Sequence, residues 1–180
     1  MKKILAFVLA LSLALTLVIS AAAESTVMTY ADFTAAAIDD EVTVETYIQA
    51  KQGWWENEGV GNASFYTQSE DGAYFLYNMP CTEEEYAQLV PGTKIKVTGV
   101  KAQWPEATGE IEIIEATFEI EEGEFIAEAT DVTELFGTDE LANEMNKFIS
   151  VKGATVAAAN DEGAAFLYNW DGSGEDGNDL

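Results

Sequence analysis

Histidine and arginine are both absent from this chain of 180 residues, and Cys81 is its one cysteine. Several chemistries fall with them. A Ser–His or Cys–His nucleophile needs an imidazole to take the proton, and a zinc site of the His/Cys type needs ligands this chain does not have. No glycine-rich phosphate loop with its lysine is present. Glu83, Glu84 and Glu85 follow Cys81 and oppose a thiolate, although a helix N-terminus there would partly offset them, so Cys81 is expected as a small semi-buried residue. Two carboxylates can hydrolyse a glycoside. With 33 acids in the chain, however, some pair always falls at a suitable spacing, and solvation is the ordinary state of Asp and Glu. Oxygen ligands alternate along Asp171–Asp179, yet Asp176 stands where a calcium loop of the EF-hand type needs glycine and the closing glutamate is missing; a solvated acidic loop is expected, with weak calcium binding left open. No catalytic residue, metal site or cofactor is therefore expected. The aromatic residues are the better lead: Trp54, Trp55, Tyr66, Tyr74 and Trp104. Rings beside acids and amides suit sugars or peptides, whereas rings beside cations suit single-stranded nucleic acid.

The start of the chain sets the compartment in which any such ligand is met. Met1-Lys2-Lys3, an apolar run from Ile4 to Ile19, and Ser20-Ala21-Ala22-Ala23 are the three parts of a secretory signal peptide. Residues 1–23 are expected to be removed before Glu24, and the apolar run is short for a permanent span, so a secreted protein with no stable membrane anchor after cleavage is expected. The formal net charge is −25; without Lys2 and Lys3, 6 basic residues, all lysine, face 33 acidic ones, a balance of −27. Such a surface repels polyphosphate and anionic membranes. Val, Ile, Leu and aromatics in alternating runs mark a globular domain, not a disordered acidic tail.

The elements that must position the rings are short strands. Val42, Val44, Thr46 and Ile48 alternate with Thr43, Glu45, Tyr47 and Gln49, the pattern of a half-buried strand. A glycine-rich loop, Gly59–Asn62, leads to a strand over 64–68, and a turn at Glu70-Asp71-Gly72 returns the chain into a strand over 74–77. Thr29–Asp32 and Thr82–Glu85 are capping-box patterns that open short helices, the second ending at Leu89 before Pro91-Gly92. A strand follows at Lys94–Val100, then a last one at Ile111–Ile120, whose apolar parity shifts between Ile113 and Ile114 and so implies a bulge. The expected core is Val44, Ile48, Phe75 or Tyr77, Leu89, Ile95, Val97 and Ile113. There is also a repeat. Gly72-Ala73-Tyr74-Phe75-Leu76-Tyr77-Asn78 returns as Gly163-Ala164-Ala165-Phe166-Leu167-Tyr168-Asn169, and Phe148–Val156 corresponds to the first strand. Residues 24–122 read as one domain and 127–180 as an incomplete second copy lacking its helix and last two strands.

Three strands, a helix and two strands, with the turn-entered stretch Pro91–Val100 followed through Gly99, resemble the OB-fold, a five-stranded Greek-key barrel. The resemblance is to tandem OB-fold domains of secreted, largely uncharacterised proteins of Gram-positive anaerobic bacteria. It implies an all-β protein with one short helix between strands three and four. It also implies that Trp54 and Trp55, after strand one, and Trp104, after strand four, sit in the two loops flanking the ligand face of strands two and three, where Tyr66 and Tyr74 lie. Gln68, Asn62 and Glu56 would supply hydrogen bonds at its margin. The competing reading puts one adjacent tryptophan and the tyrosines in the core, since parity places only one of two neighbours on each face. Three roles stay open: a non-catalytic binding module for a glycan or an extracellular protein, a single-stranded nucleic-acid binder should Lys51, Lys94, Lys96 and Lys101 share a face, and a structural spacer.

Overall fold

Alternation of apolar and polar residues over Val42–Gln49 requires a strand with one face turned inward, and such a strand is the hub of the structure. The computed structural model describes residues 26–105 and 109–153. The expected signal peptide at 1–23, the repeated motif at 163–169 and the acidic stretch at 171–179 lie outside them. In chain order the elements are α1 (Tyr30–Ala35), β1 (Glu41–Lys51), β2 (Trp55–Asn57), β3 (Val60–Gln68), β4 (Ala73–Pro80), α2 (Glu83–Gln88), β5 (Thr93–Trp104), β6 (Glu110–Glu124), β7 (Thr130–Asp131), 3-10 turns at Thr133–Leu135 and Asp139–Glu144, and β8 (Ile149–Ser150). Both short helices open with capping boxes. Thr29 and Asp32 exchange side-chain and backbone hydrogen bonds, as do Thr82 and Glu85, which satisfies amides that the first helical turn leaves free.

The strand order is β1-β5-β6-β4-β3-β2, and β1 pairs with β3 as well as β5. The sheet therefore closes on itself into a barrel-like, all-β body, with β2 as an outlying hairpin strand. All ladders in the ring are antiparallel except β4 with β6, which is parallel. The segment read as a glycine-rich loop is in fact the β2–β3 hairpin. Glu58 and Gly59 at its tip have φ of 50° and 82°, the left-handed pair that a two-residue turn with the strands' own twist demands.

Inside the ring, Val44, Ile48, Phe65, Leu76, Leu89, Ile95, Val97 and Ile113 are all fully buried. The expectation for β4 needs correction. Tyr74 and Leu76 face the main core, while Phe75 and Tyr77 lie on the opposite face, where Phe75 is buried against Tyr66. Ala73–Tyr77 is uniformly apolar, so its own pattern carries no parity; the turn at Ser69–Gly72 sets the register, pairing Tyr66 with Phe75 and Thr67 with Tyr74. The expected bulge in the last strand is present. Between the pairs Thr98↔Thr117 and Val100↔Ile114 the ladder slips, Glu115 takes φ 50°, and burial passes from Ile113 to Ala116. Gly99 sits opposite, where an added Cβ would lie 2.7 Å from both Ile113 Cγ2 and the Ile114 carbonyl oxygen; any side chain there must displace backbone.

Beyond β6 the chain stays against the barrel. The Gln49 amide donates to the Phe125 carbonyl at 3.2 Å and accepts from Ala127 N at 2.9 Å. Asn146 Nδ2 donates to the Ile111 carbonyl, and Phe148 N donates to Gln68 Oε1. Of the segment expected as a second copy's first strand, Ile149–Ser150 is the extended part among the described residues, and it pairs parallel with Thr130–Asp131. Two substitutions test the core. Leu89→Ala should cost about 2–5 kcal/mol in denaturant unfolding, and an unchanged midpoint would remove Leu89 from the core. The Thr46 hydroxyl is buried with no hydrogen-bond partner among the described residues, so Thr46→Val should raise stability by about 1 kcal/mol in the same assay.

Candidate functional site

The outward face of β3 and β4 is where the aromatic residues gather. Tyr66 from β3 stacks on Phe75 from β4, with ring centroids 4.7 Å apart and planes 26° from parallel, and Phe75 lies 6.2 Å from Tyr77. A second bulge shapes this floor. The ladder slips between Ala63 and Phe65, so that Leu76 and Met79 both point inward while Tyr77 and Asn78 between them both line the cleft. The Ser64 hydroxyl holds the bulge by accepting from Asn78 N at 3.1 Å. Trp55, 43% exposed, comes from β2 on one side; Trp104, 72% exposed, comes from the end of β5 on the other. Together with Gln52, Glu110 and Glu112 these rings bound a cleft of about 490 Å³, within the range of small-ligand sites.

Of the five candidate ligand residues, Trp55, Tyr66 and Trp104 are thus brought together. Trp54 and Tyr74 are not. The Trp54 indole lies over Gly61, where a Cβ would sit 2.6 Å from its Cζ2, and its Nε1–H donates to the Cys81 carbonyl at 3.0 Å. It seals the core beside α2, as adjacency to Trp55 requires of one of the two. Tyr74 is 2% exposed, meets Phe33 edge-on at 4.9 Å, and has its hydroxyl pKa pushed up chiefly by burial. It belongs to the core because it is out of phase with Tyr66 across the hairpin. The expected margin residues also move: Asn62 Nδ2 donates to the Val60 carbonyl, and Gln68 is engaged by Phe148. Gln52 and Asn78 line the cleft in their place.

Glu110 and Glu112 are the site residues that the sequence hid. They alternate with Ile111 and Ile113 at the start of β6 and so project from the outer face. That period-two signal was legible, but 33 acids masked it. Burial, and then the neighbouring Glu112 charge, push the Glu110 carboxyl up to about 7; burial raises Glu112 as well. Desolvation penalises the charged form of both.

The lysines are spent elsewhere. Lys101 Nζ, buried, donates to the carbonyls of Phe33, Thr34 and Ala36 at 2.9, 3.1 and 2.7 Å, closing the C-terminal end of α1. Lys51 donates to the Tyr86 carbonyl and lies 3.7 Å over the Tyr86 ring. Lys94 bridges Glu45 and Glu121 at 2.7 and 2.8 Å, and Lys96 stands between Glu45 and Glu119 in the ladder. Cys81 is buried, which raises its thiol pKa. A second groove of about 770 Å³ runs from Tyr66 and Glu110 to Phe136, Met145 and Phe148, so Tyr66 and Glu110 border both it and the cleft. Comparison with protein-family models and with curated proteins found no match.

The carboxyl shift has a signed consequence. Between 4.5 and about 7 folded Glu110 keeps a proton that the unfolded chain has released, so folding loses stability as pH rises through that window and carries the full penalty above it. Glu110→Gln should match the wild type in urea unfolding near pH 4.5 and be the more stable protein above about 7. A difference that does not change with pH would show the carboxyl to be ordinarily solvated.

Proposed function

We propose that this chain is an exported, non-catalytic OB-fold binding module that takes a glycan or a segment of an extracellular protein on its aromatic cleft. The OB-fold reading is supported by the ring order: leaving out the β2 hairpin strand, the five strands follow first–second–third–fifth–fourth and back to first, with third and fifth parallel and α2 between third and fourth. In such barrels ligands lie on strands two and three, between the loops after strands one and four. Here Trp55 stands on the β2 hairpin strand that follows β1 and Trp104 is the last residue of β5, and Tyr66, Phe75 and Tyr77 form the floor. Export is supported by the signal-peptide pattern of residues 1–23.

One observation carries the choice of ligand. Five rings from four strands share a cleft with two carboxyl groups and, among the described residues, no lysine lines it. Nucleic-acid binding draws on cations that replace counterions along the phosphates, and a cleft walled by acids opposes this. Rings with amide and carboxyl groups at their margin suit the C–H faces and hydroxyls of sugars or the side chains of a peptide.

Tryptophan fluorescence of the full chain, titrated with glycan, peptide and oligonucleotide panels, tests the reading. A glycan or peptide should bind with little salt dependence, and oligonucleotides only weakly and in a salt-sensitive way. Trp104→Ala should weaken the genuine ligand by about tenfold or more, the scale of one stacking contact, with an unchanged melting curve. Trp54→Ala should instead lower the melting temperature. Tight oligonucleotide binding at physiological salt would overturn the proposal, and no response to any panel would favour a spacer domain.

A further inference from the structure

The cleft divides by chemistry. Its floor and flanks are rings that offer stacking and cation–π contact, with the Tyr66 and Tyr77 hydroxyls as their neutral acceptors. Its wall at the start of β6 is Glu110 and Glu112, two residues apart on one strand and therefore on one face. Among the described residues Glu45 and Glu121 are paired with Lys94, Glu144 with Lys147 and Asp131 with Lys152. Among the described residues neither Glu110 nor Glu112 has an ion-pair partner, and no hydrogen-bond donor reaches either carboxyl. Both are partly desolvated. Acceptors held in such a place without donors gain most from a ligand that brings a charged donor with it.

We propose that the cleft selects a glycan bearing a free amine, with the ammonium of an amino sugar held by Glu110 and Glu112 and the apolar face of its ring laid on Trp55 or Trp104. This rests on the cleft being the ligand face of the module. The ammonium supplies N–H donors to the two carboxyls and a positive charge to the surrounding ring faces. Gln52 and Asn78 remain at the margin for sugar hydroxyls. A bare metal ion is the poorer occupant, because two carboxyl groups among aromatic rings are too few oxygens for a hard cation, and no set of three His, Cys, Asp or Glu suited to a metal occurs among the described residues. A lysine side chain brings the same ammonium on a narrow stem that leaves most of about 490 Å³ unfilled.

The test uses the full chain and three probes at physiological ionic strength: a glucosamine oligomer with free amines, the fully N-acetylated oligomer of equal length, and a lysine tripeptide. Calorimetric titration should find the free-amine oligomer bound at least about tenfold tighter than the N-acetylated one, the scale of one charge-assisted hydrogen bond. Because the whole chain carries −25 and attracts any polycation, a variant with Glu119→Gln and Glu122→Gln, both outside the cleft, serves as the electrostatic control and should keep the preference. The pair Glu110→Gln and Glu112→Gln should erase it while leaving residual binding of the N-acetylated oligomer. A preference that survives in this pair, that vanishes in the control, or that runs toward the N-acetylated oligomer overturns the inference. So does a tripeptide bound more tightly than the free-amine oligomer, although Trp104-dependent binding of that peptide would leave the binding-module reading standing. If no probe binds in a Trp104-dependent way, this inference fails, and the binding-module reading rests on the wider panels.

Discussion

Closure of the barrel depends on β1 serving two partners. Its first half, Glu41 to Tyr47, pairs with β5, and its second half, Tyr47 to Lys51, pairs with β3. A single straight strand cannot face both neighbours along its full length. The slip between Ile48 and Ala50 in the β1–β3 ladder lets the strand bend from one partner to the next, as bulges do where barrels turn a corner. Everything else follows from that closure. It removes the open edges of the ring, it encloses Val44, Ile48, Ile95 and Val97, and it obliges the alternate residues of β3 and β4 to form an outer face. Leu89, just past α2, is buried with these residues, at the point where the chain crosses from β4 to β5.

Three irregularities then convert a regular barrel into one with a site. The β4 bulge at Tyr77–Asn78 puts two consecutive side chains on the same outer face, enlarging the aromatic floor. The β6 bulge opposite Gly99 re-phases the strand, so that Ile113 before it and Ala116 after it both face inward. The β2–β3 hairpin carries Trp55 out over the cleft, while Trp54 stays in as a lid on the core, tied to the Cys81 carbonyl. The two bulges break the period of two, so that Tyr77 and Asn78 share the cleft while Ile113 and Ala116 share the core.

This is also why the fold was more legible in the sequence than the site. The strands, both capping boxes and the parity shift in the last strand are local signals, and the residues that carry them are found where those signals put them. The site depends on register, which is not local. Tyr66 and Tyr74 look equivalent as single letters, yet the turn at Ser69–Gly72 pairs Tyr66 with Phe75 and leaves Tyr74 one residue out of phase, so one tyrosine floors the cleft and the other fills the core. For Trp54 and Trp55 alternation predicts that they part company without saying which goes in; the close approach of Trp54 to Gly61 decides it. Glu110 and Glu112 were indistinguishable from other acids until β6 was laid parallel to β4, with Glu112 beside Phe75.

Charge gives the last step of the argument. With 33 acids and 8 lysines, repulsion opposes compaction of this chain, and each cation is worth most where it also satisfies a backbone or bridges two acids. Lys101 satisfies three carbonyls at the end of α1, and Lys94 joins β1 to β6 through Glu45 and Glu121 across β5. Lys51 holds the end of α2 to β1 through the Tyr86 carbonyl and ring. Cations used this way cannot also neutralise the cleft. The two carboxyl groups there are held among rings by a strand whose position is fixed by its ladders with β5 and β4, and they relieve their desolvation either by taking up a proton or by meeting a cation from outside. A barrel that commits its few lysines to its own frame thereby leaves its aromatic face with an unmet preference for positive charge.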